Sequence, residues 1–352
     1  MSQSDLVREN VRDYYGAQLN SAGDLKTNAC CTTEAVPEHH KPLIKKIHNE
    51  VLEQFYGCGS PIPAGVEGCT VLDLGCGTGR DAYLLSALVG PEGYVTGLDM
   101  TEEQLAVARR HIDYHTEQFG YDQPNLEFRQ GYLEDLATAG IADNSMDIVI
   151  SNCVLNLAAD KERAFSEIFR VLKPGGELYF SDVFADRRIP FELQDDPVLY
   201  GECLSGALYI EDFRRLLSRL GCPDYRTVSS APITIENEEV ESKIGMVQFR
   251  SLTIRVFKLD SLEDLCEDYG QIAYYQGTIS GSPHGYRLDD HHYFETGRPV
   301  LVCGNTAAML EQTRLKSHFH IQGDRSVHFG AFDCHTSSPE QQTVNGGNGA
   351  CC

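Results

Sequence analysis

The apolar positions of this chain keep two rhythms in turn. "CTVLDLG" (69–75) is a short, nearly unbroken apolar run ending in glycine, as a strand buried on both faces reads. "RDAYLLSALVG" (80–90) shifts to helical spacing and stops at Gly90–Pro91. "GYVTGLDM" is a second strand. "TEEQLAVARRHIDYHTEQFG" predicts one long helix, opened by a capping box of Thr101 with Gln104 and closed at Gly120. "NLEFRQGYLEDL" carries a third strand and "MDIVISNC" a fourth. A helix from about Asp160 to Leu172 ends at "KPGG", and "GELYFSDVF" is a fifth strand. After the helix "IEDFRRLLSRLG", the runs "YRTVSSAPITI" and "FRSLTIRVFKL" read as a closing strand pair. Strands alternating with helices predict an α/β fold: a doubly wound, mostly parallel, Rossmann-like sheet covered on both faces.

The rhythm breaks at both ends. Residues 1–50 predict a helical arm, 51–258 the core, and 260–335 a smaller β-rich domain of short pieces. The tail 336–352 lacks the apolar content to fold. The pair His291–His292 after Asp289–Asp290, and His318 with His320, read as solvated strand edges rather than a metal site.

Charge narrows the possible partners. The 352 residues carry 29 basic and 52 acidic side chains, a net −23. That argues against a nucleic-acid partner and against an anionic membrane. No apolar run approaches the ~20 residues of a membrane span, and the first residues lack an apolar signal core, so the expected location is cytoplasmic. Thirteen cysteines there imply catalytic, redox or soft-metal work rather than a disulfide framework.

"VLDLGCGTGR" sets Gly75, Gly77 and Gly79 directly after the first strand, behind an acidic Asp73. A dinucleotide loop spaces its glycines G-x-G-x-x-G, and this spacing differs. An acid entering the loop suits a ligand bearing an amine better than a pyrophosphate. Asp99, followed by Met100, ends the second strand where ribose hydroxyls are held. Tyr132 and Leu133 can lie against an adenine, with Glu134 or Asp135 at its amino group. Nucleoside, amine and no phosphate together point to S-adenosylmethionine. The stretch 50–258, through "LDLGCGTG", "GLDM" and "LKPGGELYFSD", resembles the class I S-adenosylmethionine-dependent methyltransferases.

Three thiols from distant segments are placed to converge on that site. Cys153 follows the fourth strand, Cys203 lies in "YGECLSGAL", and Cys58 in "FYGCGSPIP" just precedes the first strand. Three thiolates suit a soft, three-coordinate centre such as trivalent arsenic. Structural zinc wants four ligands in close pairs, and no C-x-x-C is present. The vicinal pairs Cys30–Cys31 and Cys351–Cys352 suit redox exchange better than chelation. Cys69, Cys76, Cys222, Cys266, Cys303 and Cys334 read as structural.

"YYGAQLNSAGDLKTNACC", "FYGCGSPIP", "SNCVLNL" and "YGECLSGALY" together resemble the arsenite methyltransferases over residues 13–258; past 258 the match is weak. The resemblance implies that Cys58, Cys153 and Cys203 bind arsenic, and that Cys30 exchanges disulfides with Cys58. It implies arsenite and methylarsenite as substrates, with a thiol reductant of glutathione or thioredoxin type. Tyr56 and Asn152 are placed to line the sulfonium. Two other functions are open to such a chain. One is a carbon or oxygen methyltransferase for a quinone- or sterol-like molecule, which has no use for three thiols. The other is a thiol sensor of metalloids, which has no use for Asp73, Asp99 and the glycine loop.

Overall fold

The computed structural model describes residues 37–53, 61–194, 196–235 and 237–333, so Cys30, Tyr56 and Cys58 lie outside the described residues. The chain divides into two compact units between Asp260 and Ser261. In the first unit the strands are β1 (Thr70–Leu74), β2 (Tyr94–Asp99), β3 (Leu126–Gln130), β4 (Met146–Asn152), β5 (Leu172–Ala185), β6 (Leu208–Tyr209), β7 (Arg226–Ile233) and β8 (Phe249–Phe257). They form one sheet in the order β3-β2-β1-β4-β5-β8-β7, with β6 beside β5. The pairs from β3 to β5 are parallel; β5–β8 and β8–β7 are antiparallel. The expected doubly wound, mostly parallel sheet is therefore the observed one.

Helices α1 (Arg80–Val89), α2 (Glu102–Arg110), α3 (Ile112–Phe119), α4 (Lys161–Val171) and α5 (Ile210–Arg219) cover it. The strands read as continuous apolar runs because both faces are dry. Leu72, Leu74 and Val149 pack with Phe165, Ile168 and Phe213 on one side. Val71, Ile148 and Ile150 pack with Ala82, Leu85 and Leu105 on the other. Their neighbours along each strand alternate between the two clusters, as a pleat requires. Strand order reverses between β1 and β4, and a doubly wound sheet binds its ligands outside that reversal. Register carries Asp73 level with Gly97, and Leu74 level with Ser151. The ends of β1, β2 and β4 thus open on one crevice.

Three local expectations give way. The long helix after β2 is broken at His111 into α2 and α3. Thr101 caps α2 without bonding back to it, because its amide and hydroxyl both serve Asp99. A charged acceptor beside the cap outcompetes the capping box, and Gln104 Oε1 is left buried without a partner. "KPGG" does not separate helix from strand. β5 starts at Leu172, directly after α4, and the four residues form a bulge between Met146↔Leu172 and Ile148↔Glu177.

The second unit holds a three-stranded antiparallel sheet centred on Gln271–Tyr275, a hairpin of Gly285–Arg287 with Tyr293–Glu295, a short pairing of Glu267–Asp268 with Gly330–Ala331, and the helix Gly304–Glu311. His292 is not a solvated edge. It is 1% exposed, and its ring and amide both bond the buried Asp289. His318 and His320 do not share a strand, since His318 ends a 3-10 turn before Phe319–Gln322.

Candidate active site

The crevice is built from backbone outward. After β1 the chain turns through Gly75, Gly77 and Gly79, all at positive φ. The amides of Gly75 and Cys76 donate to the Leu98 carbonyl at 2.7 and 3.1 Å. The Gly77 amide donates to Asp99 Oδ2 at 2.9 Å, and Thr101 donates to Oδ1 at 2.8 Å. Asp99 itself is only partly buried. A Cβ at Gly77 would meet nothing closer than Gln104 at 3.8 Å, so the loop leaves room above it.

Asp73 is 2% exposed, and its Oδ2 has no hydrogen-bond partner. Burial, then the charges of Asp81 and Asp99, push its carboxyl well above the usual range. Three acids around one glycine loop, facing the guanidinium of Arg80, form a cleft short of positive charge. An orphaned buried carboxylate oxygen there fits a cationic, nucleoside-bearing ligand, and S-adenosylmethionine carries both an ammonium and a sulfonium. Asn152, 7% exposed, donates to Asp81 Oδ2 at 3.1 Å, and Arg80 holds the other oxygen at 2.8 Å through Nε. The sequence reading missed Arg80 and Asp81. Their signal was a charged pair in the first turn of an otherwise buried helix.

Leu133 is buried and Met100 half-buried at the rim. The acids beside Leu133 are engaged elsewhere. Glu134 Oε1 accepts from the amides of Ala159 and Asp160 at 2.9 and 3.3 Å, ahead of α4. Asp135 accepts the amide and hydroxyl of Thr138.

Cys153 and Cys203 are brought together. The Cys203 thiol donates to the Cys153 carbonyl at 3.4 Å, and the Cys153 amide donates to Ser181 at 2.8 Å. Both are buried. Cys153 stands in a disulfide whose other half lies outside the described residues; Cys203 keeps its thiol. Among the described residues, the non-glycine positions at positive φ are Asn144, Cys153 (57°) and Cys203 (60°). Asparagine tolerates that region; for cysteine it stores roughly 1–3 kcal/mol, which persists only where surroundings over-determine it. Such outliers gather at functional sites. Nearby, burial pulls the Lys161 ammonium down to about 8 against the charges of Asp182, Cys203 and Glu134.

A second cluster, His48, Glu50 and His111, brings ligand atoms within 4.8 Å. Glu50 already spends one oxygen on Arg110 at 2.6 Å and the other on His111 at 2.7 Å, and His48 Nδ1 accepts the Glu50 amide. It is satisfied without an ion.

Residues 66–221 match the family described as a methyltransferase domain, and residues 269–347 match the arsenite methyltransferase C-terminal domain. The second match extends the likeness past residue 258, where the sequence motifs had left it weak. An arsenite methyltransferase of Aquipseudomonas alcaligenes is 53% identical over 93% of this chain and 94% of its own length. The arsenite methyltransferase of Homo sapiens is 43% identical over 90% of this chain and 84% of its own. The crystal structure of an arsenic(III) S-adenosylmethionine methyltransferase from Chlamydomonas reinhardtii superposes with a TM-score of 0.82. It is 51% identical, over 85% of this chain and all of that one. These relatives leave the quinone- or sterol-directed alternative unsupported. A shared sheet, a crevice for a nucleoside-bearing cation, two cysteines beside it and kinship over nearly the whole length agree: the chain belongs to the arsenite methyltransferase family.

Proposed function

We propose that Cys153 and Cys203, joined by Cys58, hold trivalent arsenic as thiolates at the mouth of the S-adenosylmethionine crevice, and that the enzyme methylates it there. The observation that carries the reading is the meeting of Cys153 and Cys203, both in left-handed backbone, at the sheet edge that Asp73 and Asp99 share. S-adenosylmethionine supplies the methyl group bound to a sulfonium. Asp99 is placed to accept from ribose hydroxyls and Asp73 from the amine. Met100 and Leu133 offer apolar contact, and Tyr56 and Asn152 line the sulfonium.

Arsenic bound by sulfurs on one side keeps its lone pair on the other. The thiolates therefore set the direction of attack, and alignment supplies much of the rate. The As–C bond forms as the S–C bond breaks, and no general base is needed because arsenic carries no proton. Each cysteine must release its proton to bind, and the Cys153 disulfide must first be reduced. Transfer takes two electrons formally from arsenic. A dithiol closing to a disulfide, Cys30 with Cys58, returns them, and a glutathione- or thioredoxin-type reductant reopens it. That demand for reduced thiols fits the cytoplasm. Incubation with arsenite, thiol and cofactor labelled in its methyl group tests the assignment. Label appearing in methylated arsenicals supports it; label remaining in the cofactor with wild-type enzyme refutes it.

A further inference from the structure

We propose that Asp182 is a positioning residue that sets the spacing of Cys153 and Cys203, by clamping the turn after β4 against the segment that carries Cys203. The inference rests on the reading of those two cysteines as arsenic ligands.

Neither thiol sits on a regular element. Cys153 opens the stretch between β4 and α4, and Cys203 lies between the short helix Pro197–Gly201 and β6. Both hold left-handed backbone. Each would relax to an ordinary conformation unless its neighbours prevented it. What prevents it is a closed circuit of contacts whose centre is the β5 carboxylate.

Asp182, 1% exposed, follows Ser181, whose carbonyl takes the Cys153 amide. Its Oδ1 accepts the Val183 amide at 2.8 Å and Asn156 Nδ2 at 2.7 Å, and its Oδ2 accepts the Asn156 amide at 3.1 Å. Asn156, itself 1% exposed, is fixed through side chain and backbone together. Its Nδ2 also donates to the Val183 carbonyl at 2.5 Å. On its far side, a Cβ at Gly206 would collide with the Asn156 carbonyl oxygen, so the two segments touch backbone to backbone. Tyr200 spans the same gap, its hydroxyl at 3.4 and 3.3 Å from the Leu157 and Ala158 carbonyls. The Cys203 amide donates to the Tyr200 carbonyl, and its thiol to Cys153, which closes the circuit.

A carboxylate suits this arrangement. Four N–H groups converge on Asp182, the backbone amides of Leu155, Asn156 and Val183 and the Asn156 side chain, and each oxygen takes at least one of them. An asparagine there would turn an NH2 toward N–H donors on one side. The turn would shift, and Cys153 would move relative to Cys203. A soft centre bridging two thiolates tolerates little of that, because site geometry must hold to within about 0.5 Å.

The test compares Asp182→Asn with Gly206→Ala, which pushes the same clamp from the opposite side, and with Cys203→Ala. The assays are the KM and kcat for methylarsenite, arsenical affinity by titration with phenylarsine oxide under thiol reductant, and cofactor affinity by calorimetry. Asp182→Asn and Gly206→Ala are expected to raise the arsenical KM and Kd by roughly 10- to 100-fold. Cofactor Kd is expected to rise far less, since neither residue touches the glycine loop and the turn reaches it only through Val154 against Gly75. An unchanged arsenical KM in a folded Asp182→Asn overturns the proposal. So does a loss of arsenical and cofactor affinity in equal proportion, the mark of general loosening. If Asp182→Asn does not fold, Gly206→Ala decides by the same criteria. Cys203→Ala separates the two claims. If it keeps arsenical binding and turnover, the ligand assignment has failed and the clamp falls with it. If it abolishes both while the clamp variants behave as wild type, the clamp alone has failed.

Discussion

Gly75→Ala tests whether the cofactor loop and the cysteine-bearing turn are one packed unit. Gly75 sits at φ +69°, and an added Cβ would lie 2.6 Å from Val154 Cγ1 and 2.8 Å from its Cβ. Two penalties follow. An L-residue in left-handed backbone loses about 1–2 kcal/mol, and forcing a methyl into a filled space adds about 1–3 kcal/mol. Together they predict a loss of about 2–5 kcal/mol in urea unfolding followed by circular dichroism. Val154→Ala alone loses some packing, yet in the double variant it makes room for the new methyl. The double-mutant cycle should therefore show a favourable coupling of about 1–3 kcal/mol, leaving the φ penalty behind. Function should follow geometry. Val154 adjoins Cys153, so displacement of its side chain disturbs the thiol as well as the loop, and both cofactor and arsenical affinity should fall in Gly75→Ala. Wild-type stability in the single variant, or no coupling in the cycle, would refute the claim that the loop leans on Val154.

Asp99→Ala should weaken cofactor binding at least ~10-fold by calorimetry, since each lost charge-assisted bond is worth about 1.5–3 kcal/mol; it also strands the Gly77 and Thr101 amides, so some stability goes with it. An unchanged Kd removes Asp99 from the site. Cys30→Ser and Cys58→Ser should each lose arsenite methylation but keep methylarsenite methylation, because a monomethylated arsenical needs only two thiolates, whereas Cys153→Ser and Cys203→Ser should lose both; wild-type arsenite turnover in Cys30→Ser ends the exchange role. His115→Gln should flatten the acid side of the stability profile. Burial holds His115 down at about 4, so between pH 6.5 and 4 the unfolded chain takes up a proton the fold refuses. Stability conferred by the neutral ring is present above pH 6.5 and is lost as pH falls through that window, by up to about 3 kcal/mol. Equal slopes for wild type and variant would show that His115 titrates alike in both states.

The sheet was readable because its strands obey one simple rule. Val71–Leu74 and Ile148–Ile150 are buried at every position and apolar at all but Asp73, which happens when both faces are covered. What escaped the sequence were choices between competing partners. Thr101 and Gln104 have the letters of a capping box, but Asp99 lies within reach and takes Thr101 for itself. "KPGG" has the letters of a stop, yet a bulge between β4 and β5 absorbs it. His292 looked solvated because nothing local shows that Asp289 turns back to seal it inside. Each outcome depends on a neighbour whose position only the fold supplies.

The site divides along the same line. Asp73, Asp99 and the glycines were legible because they lie within a few residues of strand ends, where the topology of a doubly wound sheet fixes the outlook. Asp81, Arg80 and Asp182 were not, since their meaning depends on contacts 71 or 26 residues away in sequence. Placing Asp73 in a dry wall with an oxygen unpartnered raises the free energy of the empty fold, and Asp81 and Asp99 make that worse. A ligand bearing positive charge relieves the penalty on entry, so part of its affinity is stored in the protein beforehand. The methyl group leaves a sulfonium and the carrier becomes a neutral thioether, so one of its two positive charges disappears with the transfer. Under the proposed roles Asp73 faces the ammonium, which both forms keep, so these acids would tell the two forms apart only through the charge lost at the sulfonium.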